Sequence, residues 1–245
     1  MKPIVLTAST DMELALLVEQ LGGAPLAGLG HLKAWRAAAP SGAGEVILAV
    51  TGIGKVNAAC AATLVVERCA PRLLINTGCG GAMAGSGLVV GDLAVASAEC
   101  FPEEGVQTPQ GWRGLDLIGI PAAVRGDARI FNEVPLAAGA AHQALELARR
   151  EGYRVALGPF HTVSTCSGTA EHGTELARRY PGICENMEGA ALAQVAFIYD
   201  IPFLEVRGIS NLVEDRDLSR WNLKLAVTEV QKFLIKFLQF YSSSS

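Results

Sequence analysis

Apolar positions along the chain switch between two periods. Residues 3–8 form a short β-prone run, and residues 11–21 follow with Leu14, Leu17, Val18 and Leu21 on one helical face. The pairing then repeats: 45–51 (EVILAVT) reads as a strand, 52–55 (GIGK) as a turn and 56–69 as an alanine-rich helix. Apolar runs at 72–77, 93–98 and 201–206, with another inside 153–164, predict further strands, and helical spacing marks 136–151, 171–180, 189–199 and the long amphipathic 221–241. Residues 22–45, rich in Gly, Ala and Pro around HLKAWRAA, fit one or two antiparallel strands. Strands alternating with helices predict an α/β fold. No break in composition divides it, so 1–241 reads as a single domain, with a disordered serine tail at 242–245.

Polar residues collect at the ends of these elements, most clearly in ICENMEGAALAQVAFIYDIPFLEVRGISN at 183–211. Here Glu188 falls in a first helical turn and Asn211 just past a strand's carboxyl end. Ligands of open α/β sheets gather outside the carboxyl ends of the strands, which aims both residues at one crevice. A first-turn carboxylate is held as the anion by the helix dipole and accepts hydrogen bonds from paired hydroxyls such as those of a ribose; it can also do no more than neutralise a helix end. Glu13 stands three residues after Thr10, the spacing of a capping box, which alone accounts for it. Gly78-Cys79-Gly80-Gly81 opens from the strand at 72–77 and lets backbone approach a ligand closely. The polar, glycine-rich stretch 101–121 is long enough to be a substrate loop, with Trp112 either stacking on a ring or anchoring the loop to the core.

Composition narrows the partner. Half of the 245 residues are apolar, enough for one large core, while a net charge of −4 and a pI near 5.6 give no basic footprint for nucleic acid or anionic membrane. The partner is expected to be a small molecule. No leader-like segment or apolar run of membrane-spanning length is present, which predicts a cytoplasmic protein. Six cysteines without a CxxC and four histidines without ligand spacing read as core or site residues rather than a disulfide frame or metal site. Two nucleotide motifs fail. Before Gly54-Lys55 a phosphate loop would need glycine at Ala49, and after them Ser or Thr at Val56; the dinucleotide fingerprint from Gly78 would need Gly or Ala at Met83.

Taken together, Glu13 after the first strand, TGIGKVNAA at 51–59, INTGCGGA at 75–82, GDLAVA at 91–96, NMEGAA at 186–191 and VRGISN at 206–211 resemble the purine nucleoside phosphorylase and nucleosidase superfamily over nearly the whole chain. The resemblance implies a three-layer αβα sandwich with a twisted central mixed β-sheet, a nucleoside substrate, no metal or organic cofactor, and a homo-oligomer whose neighbour often completes the site. It implies that Glu13 activates water, that Met187 packs under the sugar and that Glu188 holds the ribose hydroxyls. It also makes Gly78, Cys79, Gly80, Ser164, Arg207 and Ser210 substrate-binding, with Asn211 acting on the leaving purine. N-ribosyl cleavage builds an oxocarbenium-like sugar, so nearby anions help and a base orients the attacking water.

Two departures refine this expectation. Bacterial phosphorylases of the superfamily carry an arginine where Asn76 stands and another in the amino-terminal region, and neither is apparent here, which favours hydrolysis. Adenine-releasing nucleosidases carry aspartic acid where Asn211 stands; an amide instead donates toward a 6-keto oxygen or N7 and suits hypoxanthine. EEGVQTPQGW at 103–112 and VRGISNLVEDRDLSRW at 206–221 are similar to the futalosine hydrolases, which implies release of hypoxanthine from futalosine in menaquinone biosynthesis. Such a substrate has a benzoate carboxylate, with Arg113 and Arg36 as candidate ligands. The alternatives are an adenine-releasing nucleosidase, a phosphorylase, or a nucleoside-binding protein without turnover.

Overall fold

The computed structural model describes residues 2–40, 42 and 44–243. Its strands are β1 (Ile4–Ala8), β2 (Ala24–Pro25), β3 (Ala34–Ala38), β4 (Glu45–Val50), β5 (Leu73–Ala82), β6 (Leu93–Cys100), β7 (Gly105–Thr108), β8 (Gly111–Gly114), β9 (Ala123–Arg125), β10 (Ala128–Ile130), β11 (Glu133–Pro135), β12 (Val155–Thr162), β13 (Cys184–Asn186) and β14 (Phe203–Leu212). The helices are α1 (Ala15–Gln20), α2 (Lys55–Cys69), α3 (Ala138–Arg150), α4 (Ala170–Arg179), α5 (Gly189–Tyr199) and α6 (Leu223–Ser243).

Ten strands form one mixed sheet in the order β11-β6-β12-β13-β5-β1-β4-β3-β2, with β14 bridging β5 and β6. Because β5 and β6 are also joined through β13 and β12, the bridge closes a ring of strands at one end of the sheet. A separate apolar cluster belongs to it, in which Ala82, Ala94, Ala96 and Cys184 pack with Leu88, Phe160 and Ile209. Outside the ring, the two-residue period of the strands sorts the core into layers. Ile4, Leu6, Leu73, Ile75, Leu204 and Val206 pack under α1, α3 and α6, while Val5, Ile47, Leu74 and Phe203 pack under α2 and α5. The expected αβα layering with a mixed sheet is thus present. Among the described residues no helix is long and apolar enough to cross a membrane.

Several boundaries differ from the sequence reading. Strand β14 does not stop near residue 206 but runs to Leu212, so Asn211 lies inside the strand, at a bulge where the register against β5 shifts between Ile209 and Asn211. Likewise β5 continues through the glycine cluster to Ala82. The stretch 101–121 is not one open loop: β7 and β8 pair antiparallel within it. Helix α6 starts at Leu223 rather than Trp221 and continues to Ser243, so the serine tail placed at 242–245 begins as helix; 244 and 245 lie outside the described residues.

Candidate active site

The ring places the carboxyl-terminal halves of β5 and β14 side by side, and a cavity of about 210 Å³ opens between them, the turn after β1 and the start of α5. Glu13, 3% exposed, projects into it from that turn. Its Oε2 accepts from Ser9 Oγ at 2.7 Å, Thr10 N at 3.0 Å and Thr10 Oγ1 at 2.8 Å, and its Oε1 accepts from Cys79 N at 3.0 Å. A carboxylate oxygen accepts about two bonds comfortably, so Oε1 is the one with a lone pair to spare. The Thr10 spacing is therefore only half of a capping box. Glu13 reaches back to Thr10 N, but α1 begins later, with Leu14 as its N-cap and no side-chain cap.

Gly78 makes this placement possible. At φ +139, a Cβ there would lie 2.4 Å from Glu13 Oε1 and 2.9 Å from Arg207 Nη1. Gly78→Ala is therefore expected to push both charged groups aside and lower turnover by about 10²-fold, since small misplacements of catalytic groups are that costly. Circular dichroism and steady-state rates on the same preparation check this; a folded variant with wild-type turnover would contradict it.

Arg207, on β14 and 2% exposed, lines the floor of the cavity. Its Nε donates to Glu205 Oε1 at 2.8 Å, Nη1 to Cys79 O at 3.2 Å and Nη2 to Glu188 Oε2 at 3.3 Å. Burial opposes its charge, but Glu205, Glu188 and Glu13 outweigh that and keep it a cation. Glu188 is the N-cap residue of α5, not a member of the first turn, and its side chain does not cap. That task falls to Asn186 Oδ1, which accepts from Glu188 N at 2.9 Å and Gly189 N at 2.7 Å, and to Thr162 Oγ1, which accepts from Ala190 N at 2.7 Å. The Glu188 carboxyl turns to the cavity, where Oε1 accepts from Gly54 N at 3.0 Å. Burial raises its pKa, and Arg207 and the Gly54 N–H pull it back. A neighbouring cation and a backbone N–H thus favour its ionised form against the burial.

Asn211 lines the cavity at 9% exposure. Its Nδ2 donates to Leu212 O at 3.0 Å and its Oδ1 accepts from Ser210 Oγ at 2.8 Å, so one amide hydrogen remains for a ligand. Ser210 Oγ also lies 3.2 Å from Gly80 O, and Gly80, Cys79 and Met187 complete this wall, Met187 Sδ lying 3.2 Å from Cys166 Sγ. Burial pushes the Cys79 thiol up to about 12, so it is a neutral wall group and no nucleophile at ordinary pH.

Of the residues singled out from sequence, Trp112, Ser164, Arg113 and Arg36 lie elsewhere, and Gly78 packs against Glu13 and Arg207 without lining the cavity itself. Trp112 meets Tyr180 edge-on at 6.0 Å under the Arg179 guanidinium at 4.6 Å, anchoring the β7–β8 hairpin. Ser164 donates its backbone N–H to Glu103 and is exposed. Neither lines the cavity, nor do Arg113, exposed on β8, and Arg36, paired with Glu45 at 3.2 Å on β3. The aromatic wall is Trp221, with Arg216 stacked over it at 4.6 Å. Ser9, Ile53, Cys166, Ser167, Glu185 and Asn186 also line the cavity without having been singled out. Cys166 and Ser167 had one signal, the short polar turn before α4; Trp221 had none that set it apart from Trp112. No group of three His, Cys, Asp or Glu side chains among the described residues is placed to hold a metal ion.

The family model for the phosphorylase superfamily matches residues 3–239. The chain belongs to that superfamily. A futalosine hydrolase of Thermus thermophilus is 35% identical over 89% of this chain and 89% of its own length. A 5'-methylthioadenosine/S-adenosylhomocysteine nucleosidase of Maridesulfovibrio salexigens is 32% identical over 86% of this chain and 87% of its own. This superfamily member is an N-glycosyl hydrolase of the same kind. For the fold alone, the Neisseria meningitidis nucleosidase crystallised with methylthio-immucillin-A superposes with a TM-score of 0.83 at 23% identity, covering 98% of this chain and 100% of that one.

Proposed function

We propose that this superfamily member hydrolyses futalosine, releasing hypoxanthine and dehypoxanthine futalosine in menaquinone biosynthesis, within the cytoplasm. The observation that carries the choice is Asn211, an amide with a hydrogen to give at the purine end of a cavity whose other walls suit any riboside. The Thermus relative supports the same substrate.

In this mechanism Glu13 Oε1 holds a water molecule. As the water oxygen bonds to C1′, its proton passes to Glu13, the C1′–N9 bond breaks and its electron pair leaves with the purine. Asn211 donates to N7 or the 6-keto oxygen as negative charge develops there, an interaction that strengthens toward the transition state. Glu188 accepts from the ribose hydroxyls, Met187 packs under the sugar, and the Glu13 and Glu188 charges stabilise the cationic ring. Arg207 keeps those two carboxylates from repelling each other out of position.

The substrate's benzoate carboxylate is assigned to Arg216, because its guanidinium stacks on a wall of the cavity and Arg113 and Arg36 do not reach it. Arg216→Met is expected to raise KM for futalosine by about tenfold, the size of a partly exposed charged contact, and to leave methylthioadenosine kinetics unchanged. Equal effects on both substrates, or none, would remove this assignment. A second reading, the methylthioadenosine/S-adenosylhomocysteine nucleosidase, has the support of the 32% identical relative; comparing kcat/KM for futalosine and methylthioadenosine on the wild type decides between them, and preference for the latter would overturn the futalosine choice. We also expect a homo-oligomer, since Ile53 on the cavity wall is 63% exposed beside Val56 at 84%. A monomer in analytical ultracentrifugation at assay concentration would contradict that.

A further inference from the structure

We propose that Glu99 and Glu205 form a buried carboxyl pair that holds one proton and one negative charge between them, and that this pair positions Arg207 for Glu188. It rests on the nucleosidase reading of the site but not on which nucleoside is the substrate.

Both residues are 0% exposed, Glu99 on β6 and Glu205 on β14. They converge above Gly189: a Cβ on that glycine would lie 2.2 Å from Glu99 Oε1 and from Glu205 Oε2, and 2.6 Å from Glu205 Oε1. Three of the four oxygens have donors. Glu99 Oε2 accepts from Thr162 Oγ1 at 2.7 Å, Glu99 Oε1 from Asn186 Nδ2 at 3.0 Å, and Glu205 Oε1 from Arg207 Nε at 2.8 Å and Asn76 Nδ2 at 3.1 Å. The fourth, Glu205 Oε2, is buried with no hydrogen-bond partner.

Two ionised carboxylates would leave that oxygen unpaired and facing a like charge among fully buried groups, an arrangement of high cost. One proton removes the conflict. Placed on Glu99 Oε1, it gives Glu205 Oε2 the missing donor and leaves Glu205 charged against Arg207. Burial, and then the Glu205 charge, hold the Glu99 carboxyl well above the usual carboxylate range, in the same direction.

The pair touches both parts of the cavity. Glu205 fixes Arg207 through Nε, which leaves Nη2 for Glu188 and Nη1 for the Cys79 carbonyl whose own N–H holds Glu13. Glu99 holds Asn186, whose Oδ1 caps α5 at Glu188. Neither carboxyl lines the cavity, so both are positioning residues.

The test is a double-mutant cycle with amides. In E205Q the retained oxygen still faces Arg207 while the amide nitrogen donates to Glu99, which then carries the charge; in E99Q the charge stays on Glu205, at the cost of the one hydrogen bond from Asn186 Nδ2 that the new amide nitrogen cannot accept. Each single variant therefore keeps one negative charge and is expected to retain kcat/KM within about tenfold on whichever riboside the wild type cleaves. The double variant E99Q/E205Q has none, leaves Arg207 to be drawn onto Glu188, and is expected to lose about 10²-fold, with reduced discrimination between ribosides and 2′-deoxyribosides. Single variants as damaged as the double, or a double variant like the wild type, would overturn the proposal. Infrared spectroscopy supplies a readout independent of turnover: the wild type at neutral pH should show a buried protonated-carboxyl stretch that is gone in E99Q and in E205Q. A band unchanged in both would overturn the shared proton, even for a preparation inactive on every nucleoside.

Discussion

Replacing Glu13 by glutamine is expected to lower turnover by about 10²-fold or more, the usual worth of a general base. The structure also makes the variant less conservative than its shape suggests. Backbone N–H groups hold both carboxylate oxygens, Thr10 N on one and Cys79 N on the other, so either orientation of the new amide sets its NH₂ against a backbone donor. One buried donor loses its acceptor, at a cost of about 1–3 kcal/mol. Turnover and thermal midpoint should therefore fall together, the first far more than the second. Binding of a substrate analogue by calorimetry separates the two effects: near-normal affinity with lost turnover is the signature of a missing base. Unchanged turnover would reduce Glu13 to its contact with Thr10.

Asn211→Asp should cost about 10²-fold on futalosine and raise activity on methylthioadenosine. Local geometry sharpens the expectation. The amide nitrogen gives one hydrogen to Leu212 O, so an aspartate there sets a carboxylate oxygen against that carbonyl and must rotate away or take up a proton. Either way the donor facing the leaving purine is lost, and a 6-keto base meets an acceptor instead. The opposing reading is that Asn211 serves the bulge alone through Ser210 and Leu212. Asn211→Ala distinguishes them: if both variants keep wild-type rate and preference on the two substrates, Asn211 is a strand residue and the futalosine choice loses its physical support.

Much of the fold was legible because the strands that meet both helical layers are apolar on both faces and α3, α4 and α6 keep a clear helical period. What misled was polarity inside buried strands. Arg207, Ser210 and Asn211 read as the end of a strand, yet β14 carries them on to Leu212 because its neighbours, β5 and β6, pair with it along the ring. Gly208, just past the apolar run at 201–206, is there for packing: a Cβ would lie 2.1 Å from Ala226 O on α6. Glu13 and Glu188 were visible as carboxylates at element ends, but their geometry was not, since the Cys79, Gly54 and Arg207 contacts all cross long stretches of chain. Trp112 and Trp221 show the same limit. Each stands in a polar stretch beside an arginine, and only tertiary docking decides that Arg179 and Tyr180 take the first while the cavity takes the second. Glu205 did leave a trace: with Phe203 and Arg207 it occupies alternate positions of one strand, which puts an acid and a base on a single buried face.

The central claim is that water, not phosphate, takes the ribosyl group from a 6-keto purine. Chromatographic analysis of the products from futalosine, with inosine and methylthioadenosine in parallel, each with and without inorganic phosphate, tests it most directly. Hypoxanthine and dehypoxanthine futalosine are expected at the same rate in both conditions, with futalosine the preferred substrate. A sugar 1-phosphate that appears only when phosphate is added, or adenine from methylthioadenosine as the faster product, would contradict it.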